Sequence, residues 1–229
     1  MKYRICYEKN GALVFMSHLD LQKTFQRAFR RAKVELIYSE GFHPHPKMTY
    51  SPPLPLFVSS AEEYLDVSLG TLLTEDEIAM RLREAFPPGI TLRFVHMLGG
   101  GDPSLSDYLG WGDYEFILEK EGFGEETAKA LCAFFKQAPS IMIQKLNKKK
   151  QLVDKDVKPG VKRFAAAGED GRLTIEASLS LENDTLLNPT LFLEALKVNL
   201  PALQGARTVG IRKLRVIPKK ITAMEKNSL

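Results

Sequence analysis

Apolar and polar positions alternate from the first residues of the chain. Tyr3, Ile5 and Tyr7 stand between polar neighbours over residues 2 to 8, the period-two pattern of a half-buried strand. Asn10-Gly11 marks a tight turn, and a short apolar run from Leu13 to Met16 follows. The period then changes. Leu21, Phe25, Ala28 and Ala32, with Phe29 beside them, recur at helical spacing and share one face. Ser17 is suited to cap this helix, because its hydroxyl can accept from an unpaired amide of the first turn. Asp20, three residues on, completes an approximate capping box at the positive end of the helix.

Val34 to Tyr38 reads as the next strand. Five prolines in YSEGFHPHPKMTYSPPLPL then favour an extended loop or sheet edge, since proline lacks the amide a central strand needs. Glu63 to Leu69 is a strand with Leu65, Val67 and Leu69 on one face. Thr74 and Glu77 form a capping box for a helix that buries Ile78, Leu82, Ala85 and Phe86 and stops at Pro87-Pro88-Gly89. Ile90, Leu92, Phe94, His96 and Leu98 alternate along a closing strand. The order is β-α-β-β-α-β.

Gly99 to Gly112 has the Gly, Ser and Pro content of a linker. Beyond it the pattern recurs. Strands are expected around Tyr114 to Leu118, Ile141 to Leu146, Val161 to Ala167, Arg172 to Ser180 and Val209 to Ile217. One helix carries Ala128, Leu131, Cys132 and Phe135. A second starts at Asn188-Pro189, carries Leu193, Leu196 and Leu200, and stops at Pro201. The expected fold is α+β: two tandem ferredoxin-like (βαββαβ) domains with antiparallel sheets, at residues 1–98 and 113–217, joined by a linker at 99–112 and followed by a flexible tail at 218–229.

Composition changes this picture little. A chain of 229 residues with 44% hydrophobic and 26% charged residues is ordinary for a globular protein. Charge distribution says more than the net +4. Residues 145 to 163 carry eight Lys or Arg against two Asp, whereas Glu62, Glu63, Asp66, Glu75, Asp76 and Glu77 are acidic. An anionic partner on one side is expected. Cys6 and Cys132 read as small core residues, so no iron–sulfur cluster is expected on this chain. No apolar run approaches the ~20 residues of a membrane span, and a cytoplasmic location is expected. Walker, G-x-G-x-x-G, H-E-x-x-H, G-x-S-x-G and C-x-x-C motifs are absent.

The candidate chemistry clusters between Ser17 and Pro46. Lys23, Arg27, Arg30 and Arg31 occupy the helix face opposite the apolar one. A solvated face is the plain reading; a stripe that clamps phosphates, or docks on an acidic protein surface, is the functional one. In the loop after it, Ser39 and Gly41 offer backbone amides, Tyr38 and Phe42 stacking faces, and Lys47 a charge. Lys148, Lys149 and Lys150, on a hairpin of the second half, would extend a basic groove. His18, Asp20, His43 and His45 are the candidates for acid–base work or for a metal site of nitrogen and oxygen ligands, but their spacing matches no zinc signature. No metal and no cofactor is expected. His96 reads as a core histidine.

GALVFMSHLDLQKTFQRAFRRA, then YSEGFHPHPKMTYSPPLPL and AEEYLDVSL, resemble the radical-SAM-linked protein family, a bacterial domain of unknown function. The likeness is strongest over residues 1 to 70 and looser to about 217. It implies association with a radical S-adenosylmethionine protein, encoded alongside or fused to a chain of this kind, to which the radical chemistry would belong. It carries no catalytic residue over. Its motif positions His18, Asp20, Arg27, Arg31, Tyr38, Ser39, Gly41, Phe42, His43, Pro44, His45, Pro46 and Lys47 mark a candidate surface. By fold alone, tandem ferredoxin-like domains also resemble the CRISPR repeat-processing endoribonucleases, whose Gly-rich C-terminal loop has no counterpart here. The expected function is a non-catalytic RNA-binding accessory protein in tRNA or rRNA modification beside the radical enzyme. A docking subunit of that enzyme without RNA contact, and a His-dependent ribonuclease-like enzyme, are the alternatives.

Overall fold

The computed structural model of the chain describes residues 1–147 and 149–219. They form two units. The first is Met1–Leu109 with Pro218 and Lys219, and the second is Gly110–Ile217; the rest of the tail expected at 218–229 lies outside the described residues.

The first unit runs β1 (Lys2–Lys9), a 3-10 turn (Gly11–Phe15), α1 (His18–Arg31), β2 (Met48–Tyr50), β3 (Val58–Ser68), α2 (Glu75–Ala85), β4 (Ile90–Met97) and the single turn α3 (Leu105–Tyr108). β1 lies between β4 and β3, and β2 adds to the far side of β3; every one of these pairings is antiparallel. The order along the sheet is therefore β4-β1-β3-β2.

Alternation decides which side of this sheet receives the two helices. Tyr3, Ile5 and Tyr7 of β1 and Leu65 and Val67 of β3 pack under Leu21, Phe25, Ala28 and Phe29 of α1 and Ile78, Ala79, Leu82 and Ala85 of α2. Each large apolar side chain buried this way contributes about 1.5–3 kcal/mol relative to exposure. Ser17 caps α1 by accepting from the Asp20 amide at 3.2 Å. Thr74 and Glu77 close the capping box of α2 in both directions.

The reverse side of β1 carries an ion pair instead. Arg4 Nε and Nη2 donate to the two carboxylate oxygens of Asp66 at 2.7 and 2.9 Å, and Nη2 also reaches the Pro103 carbonyl. The guanidinium lies 4.6 Å from the centre of the Tyr108 ring. Both partners are buried, which requires this mutual pairing.

Three expectations change here. Val34 to Tyr38 is not a ladder strand: only isolated bridges, Leu36 to Leu69 and Tyr38 to Pro46, hold it. The prolines limit pairing, and the short β2 takes the edge of β3 instead. His96 is not a core residue. The β1–β4 register shifts between Cys6 and Tyr7, so Val95 follows Ile90 and Leu92 into the core. His96 faces Glu75 and Asp102, at 3.4 and 3.7 Å. The linker expected at 99–112 contains α3 and runs directly into a strand. Ser104 caps α3 by accepting from the Asp107 amide.

The second unit runs β5 (Leu109–Glu119), α4 (Glu125–Gln137), β6 (Met142–Leu146), β7 (Leu152–Asp156), β8 (Val161–Glu169), β9 (Arg172–Ser180), α5 (Pro189–Asn199) and β10 (Arg207–Pro218). Its main sheet has the order β10-β5-β9-β8, with β9 antiparallel to β5 and β8. β6 and β7 pair only with each other. Asn188 caps α5 with its side-chain oxygen on the amides of Thr190 and Leu191, and Pro189 occupies the first helical position. Phe116, Leu118, Ile175, Leu179, Phe192 and Leu196 are buried.

Candidate functional site

α1 presents two different faces because its apolar period is clean. With Leu21, Phe25, Ala28 and Phe29 turned inward, Lys23, Arg27, Arg30 and Arg31 are left exposed. Among the described residues no ion pair joins Lys23, Arg27 or Arg30 to a carboxylate. Arg31 is held, but by a backbone oxygen: its Nη2 donates to the Ala85 carbonyl at the end of α2, at 2.6 Å. Arg30 and Arg31 also sit in the last turn, where cations suit the negative end of the helix.

The loop after α1 is pinned at its neck. Ser39 N donates to the His45 carbonyl at 2.8 Å, and His45 N donates to Ser39 Oγ at 3.1 Å. The Ser39 hydroxyl and His45 Nδ1 are 3.0 Å apart. Lys47 N donates to the Ile37 carbonyl, and Gly41 turns the tip with φ of 117°. Phe42 is 102% exposed, and Tyr38, His43 and Lys47 are exposed as well.

His18 does not join the loop histidines. It is half-buried at the first position of α1, its ring edge-on to Tyr50 with centroids 5.5 Å apart. Its Nε2 lies 2.9 Å from the Gln22 side-chain nitrogen. Burial holds its pKa below the ordinary 6.5, opposed by Glu63 and reinforced by Lys9. Asp20 is exposed and accepts from the Ser17 hydroxyl at 2.7 Å. Among the described residues no group of three His, Cys, Asp or Glu side chains is placed to hold a metal ion.

What His18 does face is a polar cleft of ≈ 10 Å³, about the room one water needs, lined by Tyr7, Lys9, Leu21, Ser51, Pro52, Pro53, Leu54 and Glu63. Lys9, Ser51 and Glu63 are all buried. Ser51 Oγ donates to Glu63 Oε2, and its oxygen accepts from the Tyr64 amide at 3.3 Å. Lys9 Nζ donates to the Met16 carbonyl at 3.2 Å. Burial lowers the Lys9 pKa, with Glu63 acting against it. The sequence marks Glu63 only as a strand start and an acidic position, and it does not single out Lys9 or Ser51. A signal was present: Lys9 continues the inward positions Tyr3, Ile5 and Tyr7, and Glu63 those of Leu65 and Val67.

In the second unit, Lys149 and Lys150 lie on the exposed turn between β6 and β7, and Lys148 lies outside the described residues. Asp113 there gathers Arg215 Nε at 2.8 Å, Arg163 Nη1 at 3.8 Å and the Ser178 hydroxyl.

Residues 2–189 match a family described as "Uncharacterized protein conserved in bacteria (DUF2344)". The chain belongs to this family. The match covers α1, its loop and the cleft residues, and ends at Pro189 within the second unit. A comparison with curated proteins found no significant match. Among solved structures, an unknown protein from Galdieria sulphuraria aligns over 93% of this chain and 97% of its own, at 10% identity and a TM-score of 0.27. No helix among the described residues is long and apolar enough to cross a membrane.

Proposed function

We propose that this chain is a non-catalytic RNA-binding accessory protein, acting in the cytoplasm beside a radical S-adenosylmethionine enzyme that modifies tRNA or rRNA. The observation that carries the reading is the outer face of α1. Lys23, Arg27 and Arg30 are exposed cations without a carboxylate partner among the described residues. Guanidinium and ammonium groups left bare in this way suit the phosphate backbone, and arginine binds it in bidentate fashion. The pinned loop with Phe42 at its tip supplies an aromatic face for a base.

Each unit is also proposed to be a variant of the ferredoxin-like fold. The support is the strand order β4-β1-β3-β2 in the first unit and β10-β5-β9-β8 in the second, with β6–β7 an added hairpin.

Binding of bulk tRNA, measured between about 50 and 200 mM salt, tests the reading. The wild type should lose affinity steeply over that range. The Lys23→Ala, Arg27→Ala, Arg30→Ala protein should bind weakly at every salt and show a slope shallower by roughly two to three. Equal binding by the two proteins would refute it.

A further inference from the structure

The 3-10 turn and the proline-rich segment together expose an aromatic pair, and the first turn of α1 exposes a leucine. Phe15 is 63% exposed, Leu19 67% and Phe57 66%, and Leu56 is exposed beside Phe57. The Phe15 and Phe57 rings stand edge to face, 5.4 Å between centroids and 87° between planes. The Phe57 amide donates to the Val14 carbonyl at 2.9 Å, which ties the two segments together.

Phe57 also has φ of 66°. A bulky side chain is rarely held in the left-handed region, where its Cβ crowds the backbone. Here the aromatic ring gains little burial in return. Strain that packing does not explain points to a use at the surface.

α1 connects this surface to the bare cations. Leu19, Lys23, Arg27 and Arg31 are four apart, so they form one row along the helix, about 6 Å of rise between neighbours. Arg30 flanks the row at its C-terminal end. The row starts with exposed Leu19, four residues after Phe15 in the chain, and continues cationic.

We propose that Phe15, Phe57 and Leu19 form a stacking platform for unpaired bases of single-stranded RNA, whose phosphates run along Lys23, Arg27 and Arg30. The proposal rests on the RNA-binding reading and specifies its substrate. Ring faces take bases of any sequence, provided the bases are not already stacked in a duplex. An acidic protein surface would use the cations but leave the aromatic faces unmatched.

Fluorescence anisotropy with a labelled oligouridylate of about 12 nucleotides, and with a duplex of the same length, tests it. Phe15→Ala/Phe57→Ala should bind the single strand about tenfold or more weakly, with its salt slope and its duplex binding unchanged. Phe15→Leu/Phe57→Leu, which keeps the apolar surface and loses the ring faces, should show the same loss. The near-ultraviolet circular dichroism of its buried tyrosines should stay unchanged. Wild-type affinity in either aromatic variant, while the Lys23→Ala, Arg27→Ala, Arg30→Ala protein loses binding, would overturn the platform and leave the RNA reading standing. Loss of single-strand and duplex binding to the same degree in the aromatic variants would also overturn it. If the wild type binds neither RNA, both readings fall together.

Discussion

The Ser51 hydroxyl donates to Glu63 Oε2 across 2.5 Å, with both side chains buried beneath the start of α1. The bond joins the proline-rich segment to the inward face of β3. A hydrogen bond to a buried carboxylate contributes more than a neutral one, about 1.5–3 kcal/mol. Ser51→Ala should lower the unfolding free energy by that amount, measured by urea titration. Ser51→Thr, which keeps the hydroxyl, should restore most of it. No change in Ser51→Ala would mean that the bond contributes nothing net.

Arg4 and Asp66 predict a non-additive pair. Asp66→Ala leaves a buried guanidinium without its carboxylate and should cost about 3–5 kcal/mol. Arg4 Nη1 already has no hydrogen-bond partner among the described residues, so there is little slack to absorb the loss. Replacing both, as Arg4→Met with Asp66→Leu, should cost much less than the sum of the single changes. Simple addition in the double-mutant cycle would contradict the pairing.

His18 predicts a pH dependence with a definite sign. Its pKa in the folded chain lies below 6.5, so on acidification the unfolded chain takes up the proton first. Stability contributed by this group is therefore full above about pH 6.5 and falls as pH drops toward the folded value, after which the penalty is constant. The difference between wild type and His18→Gln, measured by urea unfolding from about pH 7 to 5, isolates it from the carboxylates. The wild type should lose more over that window. A parallel pair of curves, or the His18 resonance titrating above 6.5, would refute the assignment.

Gly168 predicts a steric limit in the second unit. A Cβ there would lie 2.2 Å from the Gly124 carbonyl oxygen, a backbone atom that cannot swing aside. Gly168→Ala should destabilise by about 1–3 kcal/mol. Gly100→Ala, with nothing within 4 Å of its added carbon, serves as the control. Equal midpoints for the two proteins would show that the β8 backbone relaxes freely.

What the sequence made legible was whatever repeats locally. The inward row of α1 and the Thr74–Glu77 capping box could be read from spacing because one helix contains all the parts. The β4 pattern failed at Val95, since a one-residue register shift reverses the side a strand presents. The return strand of the lysine hairpin, β7, had no bounds in the sequence, because three of its five residues are charged and it pairs only with β6, leaving no apolar face to mark it. The cleft was missed for another reason. Lys9, Ser51 and Glu63 lie in different segments, and only the pairing of β1 with β3 and the path of the prolines bring them together.

The closed neck at Ser39 and His45 isolates the five residues between them from the rest of the molecule. Chain ends already held together tolerate a longer excursion cheaply, about 0.6 kcal/mol for each doubling in length. That makes the stretch from Glu40 to Pro44 a natural attachment point for a reporter, such as a photo-reactive residue at position 42 or a short inserted epitope. Whatever this protein meets in the cell can thus be labelled from a position that its own folding does not depend on.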